Sequence, residues 1–357
     1  MEYQNDIAQL LEMLTYPAFC VSSGTVTHVN QDAAHSGICA NEPVSKYLAT
    51  GQQEYAEFQS GSLYLTVNAA GICLGATVSR FQDFDIFVLD QDEQQAKLQT
   101  MALAAKELRT PLSNIMSVAN NMFPIVSQDE DPAMQALAAQ INRGLYQMHR
   151  IICNMSDAYR YSIDAQIDTG YRNICAISNE FWTNSIDVVS HAGVTLKYSG
   201  LQESINCLVS TEKLERAFSN ILSNALKFTP KGGTIDVRLT RQSNMLYLSV
   251  FNSGDTVPEE LRGSIHSRYL RQPGIEDIRY GIGLGMVLVR SAAAAHGGTL
   301  LMEHLKDQGT RVTMTMQIRQ DSSSFVRSPT IPYDYAGELN HWLVELSESL
   351  PAELYGQ

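Results

Sequence analysis

Residues 214–228 read LERAFSNILSNALKF. Leu214, Phe218, Ile221, Leu222, Ala225 and Leu226 recur at helical spacing and form a face wide enough to pack on a sheet. Asn220, Asn224 and Lys227 share this helix, and the two asparagines, four apart, lie on one side a turn apart. A helix that must bury an apolar face seldom sets two amides and a lysine beside it without a ligand. The alternative is a capped amphipathic helix with those residues on its wet side.

Downstream come NSGDTVPEE (252–260), GIGLGM (281–286), HGG (296–298) and QGT (308–310). In this order and spacing the set resembles the nucleotide-binding domain of sensor histidine kinases, the GHKL fold. The asparagine helix corresponds to the family's N box, and the other segments to its glycine boxes and closing strands. The resemblance implies Mg2+ and ATP as cofactors. It makes Asn224 the Mg2+ ligand bridging to the phosphates, Lys227 a phosphate contact and Phe228 a neighbour of adenine, with Asn220 supporting the helix. An amide oxygen suits a hard cation shared with phosphates. Asn252 stands where the family carries an aspartate that accepts from adenine N6, and an amide oxygen can still accept. Gly254 and Pro258 match, while Thr256 replaces a glycine. The segment 264–271, with His266 for a phenylalanine and Tyr269 kept, corresponds to the F box, and Arg268 or Arg271 could reach phosphate. Gly281, Gly283 and Gly285 permit close backbone approach, and the helix after them aims its first N–H groups at phosphate. Thr310, in a closing strand, completes the implied nucleotide set. His296 reads as structural.

Upstream, residues 91–126 read as one long helix. Its seam is Leu98, Met101, Ala105, Leu108, Leu112, Ile115, Ala119 and Met122, and Pro111 marks a kink. A second helix follows to about Tyr161, with Met134, Ala138, Ile141, Leu145, Met148, Ile152, Met155 and Tyr159 as its seam. The two form an antiparallel hairpin whose seam is half covered, so two copies should pair into a four-helix bundle. The hairpin resembles the dimerisation domain of the same family. In KELRTPLSNI (106–115), Glu107 to Leu112 match the family's H-E-L-R-T-P-L, but Lys106 replaces the phosphoacceptor histidine. A neutral imidazole offers a lone pair to the γ-phosphoryl group. A lysine amine, with a reference value of about 10.4, is almost wholly protonated at neutral pH. Lys106 is therefore expected to stay unphosphorylated, the alternative being that transfer has moved to His149. By resemblance, Glu107 assists as a base and Thr110 orients water when a response regulator is dephosphorylated; otherwise both are inherited helix surface.

Residues 1–90 carry two strands, short helices (31–36 and 43–49) and three strands, the order of a PAS domain, which they resemble. Residues 319–357 read as a linker and a helix over 337–355 with no family counterpart. The net charge of −13 argues against a nucleic-acid partner. No apolar run reaches membrane-span length, and six scattered cysteines without CxxC spacing suit a cytoplasmic protein.

The expected architecture is α+β multidomain: a PAS-like domain (1–90), a helical hairpin forming a dimeric four-helix bundle (91–162), a GHKL α/β sandwich (163–318), then the linker and helix (319–357). The expected function is that of a pseudokinase in two-component signalling, which binds Mg-ATP and regulates a response regulator or a partner histidine kinase. The alternatives are a kinase acting on another site or in trans, and a nucleotide-free scaffold.

Overall fold

The computed structural model describes residues 8–9, 11–14, 16–81, 84–90, 92–126, 131–163, 169–254, 283–305, 308–319 and 339–356. The N-terminal region is a five-stranded antiparallel sheet of β1 (Ala18–Ser22), β2 (Thr25–Val29), β3 (Ser62–Ala69), β4 (Ile72–Arg80) and β5 (Asp85–Leu89), in the order β2-β1-β5-β4-β3. Buried Asn30 starts α1 (Gln31–His35): its Oδ1 accepts from the N–H of Ala33 (3.0 Å) and of Ala18 (2.9 Å), tying helix to sheet. The helix expected at 43–49 is a single 3-10 turn, Val44–Lys46, and an unforeseen helix, α2 (Gln52–Glu57), begins after left-handed Gly51. Phe19 and Phe87 stack at 4.6 Å in the centre of this region's core.

Two long helices follow, α3 (Asp92–Val126) and α4 (Pro132–Ile163), packed as a hairpin, and α3 continues through Pro111 and Pro124. The expected seam splits into two columns. Leu98, Ala105, Leu112 and Ala119, seven apart, are buried and face α4, where Leu145 and Ile152 are buried. Leu108, Ile115 and Met122 on α3 and Met134, Ile141 and Met148 on α4, also seven apart, stay exposed. One hairpin can cover only the side of each seam that faces its own partner helix.

The next layer begins with β6 (Thr169–Asn173), whose sequence TGYRN shows no apolar alternation and was not anticipated. α5 (Ile174–Ser190), β7 (Thr195–Ser199), β8 (Asn206–Ser210), α6 (Thr211–Phe228), β9 (Thr234–Gln242), β10 (Met245–Asn252), α7 (Leu284–Ala295), β11 (Leu300–Leu305) and β12 (Gly309–Gln317) follow. The sheet β11-β12-β10-β9-β7 is antiparallel except for parallel β7·β9, and Trp182 of α5, Phe218 and Leu222 of α6 and Val289 of α7 pack on its buried face with Leu248 and Met314.

The two sheets are continuous. β3 pairs antiparallel with β11 at Tyr64–Leu300, Leu63–Leu301 and Ser62–Met302, making ten strands in one sheet. The turn before β3 needs a glycine: Gly61 has φ of +95°, and a Cβ there would run into the Met302 carbonyl. The buried Arg290 guanidinium of α7 lies 4.8 Å from the centre of the Tyr64 ring, closing the junction.

Among the described residues, the C-terminal helix expected over 337–355 is instead one short helix, α8 (His341–Glu345), and a 3-10 turn, Ala352–Tyr355, which starts after Pro351. α8 docks on α4 and α6, and the 3-10 turn docks on α4. Among the described residues no helix is long and apolar enough to cross a membrane.

Candidate functional site

Ser210 caps α6, its Oγ accepting from the Lys213 N–H at 3.4 Å. The apolar positions of the helix are buried, which leaves its amides at the boundary with α7 and α4. Asn224 is half-buried: its Nδ2 lies 3.2 Å from Met286 Sδ, and its oxygen makes no hydrogen bond among the described residues. Asn220 is buried, donates to the Arg216 carbonyl at 2.7 Å and accepts from Arg150 Nη2 at 3.4 Å. That makes it a strut between α6 and α4.

Across from α6, α7 starts at Gly283, whose φ of +80° favours glycine, and a Cβ on Gly285 would stand 2.6 Å from Asn220 Oδ1. At the end of β10, Asn252 is buried opposite Thr310, and its Nδ2 has no hydrogen-bond partner among the described residues. Thr310 Oγ1 lies 3.3 Å from His304 Nδ1. Gly254 backs onto the carbonyl of half-buried Phe228, where a side chain would collide. The fold thus assembles Asn220, Asn224, Asn252, Gly254, Phe228, Gly283, Gly285 and Thr310 around α6 and the adjoining sheet end. Gly281 lies outside the described residues, as do Thr256, Pro258, His266, Arg268, Tyr269 and Arg271. An unpartnered buried amide and an Asn224 oxygen without a hydrogen bond are the features that a bound nucleotide and its cation would satisfy.

Lys227 is not simply open to a ligand. Its Nζ lies 2.7 Å from Glu348 Oε2, on the C-terminal segment. Beside it sits a buried cluster that the sequence reading missed. Arg216 binds Glu345 and Asp157 (2.9 Å) and donates to Asn154 Oδ1 at 2.6 Å. Arg150 approaches Glu345 at 3.6 Å and Glu348 at 3.3 Å. Three elements far apart in sequence meet here, and the only local sign was Glu345 and Glu348 spaced three apart.

On the hairpin, Lys106, Glu107 and Thr110 are all exposed, next to buried Ala105. None of the three side chains makes a hydrogen bond or ion pair among the described residues.

His296 ends α7, and its ring is fixed by two bonds: Nδ1–H donates to the Ala292 carbonyl (2.7 Å) and Nε2 accepts from the Ser210 N–H (3.1 Å). The bond to Ser210 ties the end of α7 to the cap of α6. Burial, outweighing the carbonyl bond, pushes the imidazole down to about 4. Folding therefore holds a neutral ring, while the unfolded chain takes up a proton below about pH 6.5. Stability from this group should be complete above that value and fall as pH drops towards 4. Denaturation midpoints followed across this range should show wild type losing on the order of 3 kcal/mol that a non-titrating His296→Gln variant does not lose.

Residues 210–320 match the family model described as histidine kinase-, DNA gyrase B-, and HSP90-like ATPase. The chain is 24% identical over 226 residues to histidine kinase P4 of Formosa agariphila, covering 62% of this chain and 16% of that protein. It is 26% identical over 238 residues to the adaptive-response sensory kinase SasA of Crocosphaera subtropica, covering 64% and 61% respectively. The chain thus spans between about a sixth and three fifths of these curated relatives. Among solved structures, histidine kinase ThkA in complex with the response regulator protein TrrA aligns at 12% identity and a TM-score of 0.39, over 87% of this chain and 98% of that one. The amide-bearing helix, the glycine-led α7 and the strands behind them thus lie within residues 210–320, the segment that matches the histidine kinase-, DNA gyrase B-, and HSP90-like ATPase model, and the chain is similar to sensor histidine kinases across it.

Proposed function

We propose that this protein is a degenerate histidine kinase, a pseudokinase that binds Mg-ATP on α6 and regulates a response regulator or a partner kinase. The observation that supports it is the combination of an equipped nucleotide face with a lysine at the acceptor position. Asn224 would hold Mg2+ through its amide oxygen, and Asn252 and Thr310 would flank the base end of the site. The N-terminus of α7 would face the phosphates. Bound ATP would supply a γ-phosphoryl group, but Lys106 presents a water-exposed ammonium with no lone pair to receive it. Glu107 and Thr110 remain on the exposed face, available to a regulator-bound phosphate.

The exposed half of the seam supports a homodimer, with residues 91–162 as the dimerisation hairpin in a four-helix bundle. Residues 1–90 are assigned as a PAS-like sensor on their strand order, residues 163–318 as the nucleotide domain, and the whole as a cytoplasmic protein.

Calorimetry with Mg-ATP tests the reading. Wild type should bind, Asn224→Ala should lose at least about tenfold in affinity, and incubation with ATP should leave Lys106 unphosphorylated. Equal binding by the two proteins would remove Asn224 from the site, and phosphate on the chain would replace the pseudokinase with an active kinase.

A further inference from the structure

Residues 339–356 lie beyond the segment matched by the ATPase family, yet they are built into its core. Asn340 caps α8, its side-chain oxygen accepting from the N–H groups of Trp342 (3.0 Å) and Leu343 (3.3 Å). Leu346, Leu350 and Tyr355 are buried in the same apolar core as α6. The segment is also fastened along α4. Asn142 Nδ2 donates to the Tyr355 carbonyl at 2.7 Å. Arg143 donates to the carbonyls of Ser347 and Glu348, both at 2.9 Å, and Gln147 to that of Ser347 at 3.0 Å.

This platform aims Glu348 at Lys227. One carboxylate oxygen lies 2.7 Å from Nζ and the other 3.3 Å from Arg150. The Lys227 side chain is only 11% exposed, so little of it is left for another anion. Burial opposes the charge on Glu348, but Arg150 and Lys227 outweigh it and hold the carboxyl below its usual range.

We propose that the C-terminal segment is a built-in competitor of the nucleotide, in which the Glu348 carboxylate occupies the Lys227 ammonium in place of a phosphate oxygen and lowers the affinity for Mg-ATP. This rests on the reading of α6 as the nucleotide site. A carboxylate and a phosphate oxygen make the same short charge-assisted bond to an ammonium. The carboxylate is tethered to the same chain, so it competes at a high effective concentration that no free anion must be supplied to match. The contact is also a coupling device. Glu348 holds Arg150 of the hairpin and Lys227 of the ATPase domain together, so a nucleotide that takes Lys227 loosens one tie between them. By reciprocity, any partner that lifts the segment off the hairpin raises nucleotide affinity.

The test is Mg-ATP calorimetry on the full chain with Glu348→Gln, which keeps the side chain's size, and with Arg143→Ala, which loosens the platform without touching Lys227. Asn224→Ala serves as the site control. Both segment variants should bind more tightly than wild type, Glu348→Gln by roughly 5- to 150-fold, the usual span of an internal coupling. Unchanged affinity in Glu348→Gln and Arg143→Ala, with binding still lost in Asn224→Ala, would overturn the competitor and leave the nucleotide site standing. Absence of binding in every variant would overturn both.

Discussion

Replacing Arg216 by alanine should destabilise the protein by about 3–5 kcal/mol, the usual cost of removing one partner from a buried charge pair. Arg216 is among the largest fully buried side chains, and its guanidinium faces Asp157 and Glu345, both buried. Without it, Glu345 keeps Arg150 at 3.6 Å, and among the described residues Asp157 keeps half-exposed Arg160 at 3.3 Å. Two carboxylates would then be buried with too little positive charge. Because Asp157 comes from the hairpin, Arg216 from α6 and Glu345 from the C-terminal segment, the loss should loosen all three elements together. Urea unfolding followed by circular dichroism measures this. A loss below about 1 kcal/mol would mean that water reaches the cluster and screens it, as at an exposed ion pair.

Placing aspartate at both Ile115 and Ile141 should convert the proposed dimer to monomer. Both side chains are exposed, 53% and 60%, in the uncovered columns of the hairpin. Burying one isoleucine is worth about 1.5–3 kcal/mol, and a symmetric dimer counts each site twice. Every 1.4 kcal/mol is tenfold in the dissociation constant, so a rise of well over a hundredfold is expected. Sedimentation velocity across a concentration series would show it. The substitutions lie outside the buried hairpin core, so the far-ultraviolet spectrum should be unchanged. A variant that remains dimeric would move the interface elsewhere on the chain.

The proposed nucleotide face could be read from sequence because its information is local. The spacing of Asn220, Asn224 and Lys227 on one helix, and the glycines that open α7, are written in short segments whose periodicity or backbone freedom can be read directly. The hairpin was legible for the same reason, since a seven-residue repeat marks which positions face a neighbour. The repeat does not say which neighbour. Only the packed hairpin separates Leu112, covered by α4, from Ile115, left exposed three residues later.

Other features depend on contacts between distant segments, and nothing in either segment announces them. The pairing of β3 with β11 joins residues 62–64 to 300–302 through backbone hydrogen bonds, which any sequence compatible with an edge strand can make. The C-terminal segment carried apolar residues at helical spacing, yet it folds as one short helix and a 3-10 turn, and the carbonyls of Ser347, Glu348 and Tyr355 are taken by Asn142, Arg143 and Gln147 of α4. Local patterning therefore determined the long helices, the amides of the proposed site and the lysine where the resemblance expects the acceptor. Tertiary structure decided that Lys227 meets Glu348 and that Arg216 is buried among carboxylates. The strength of a charge pair depends on burial and distance, and these exist only once segments more than a hundred residues apart have packed together.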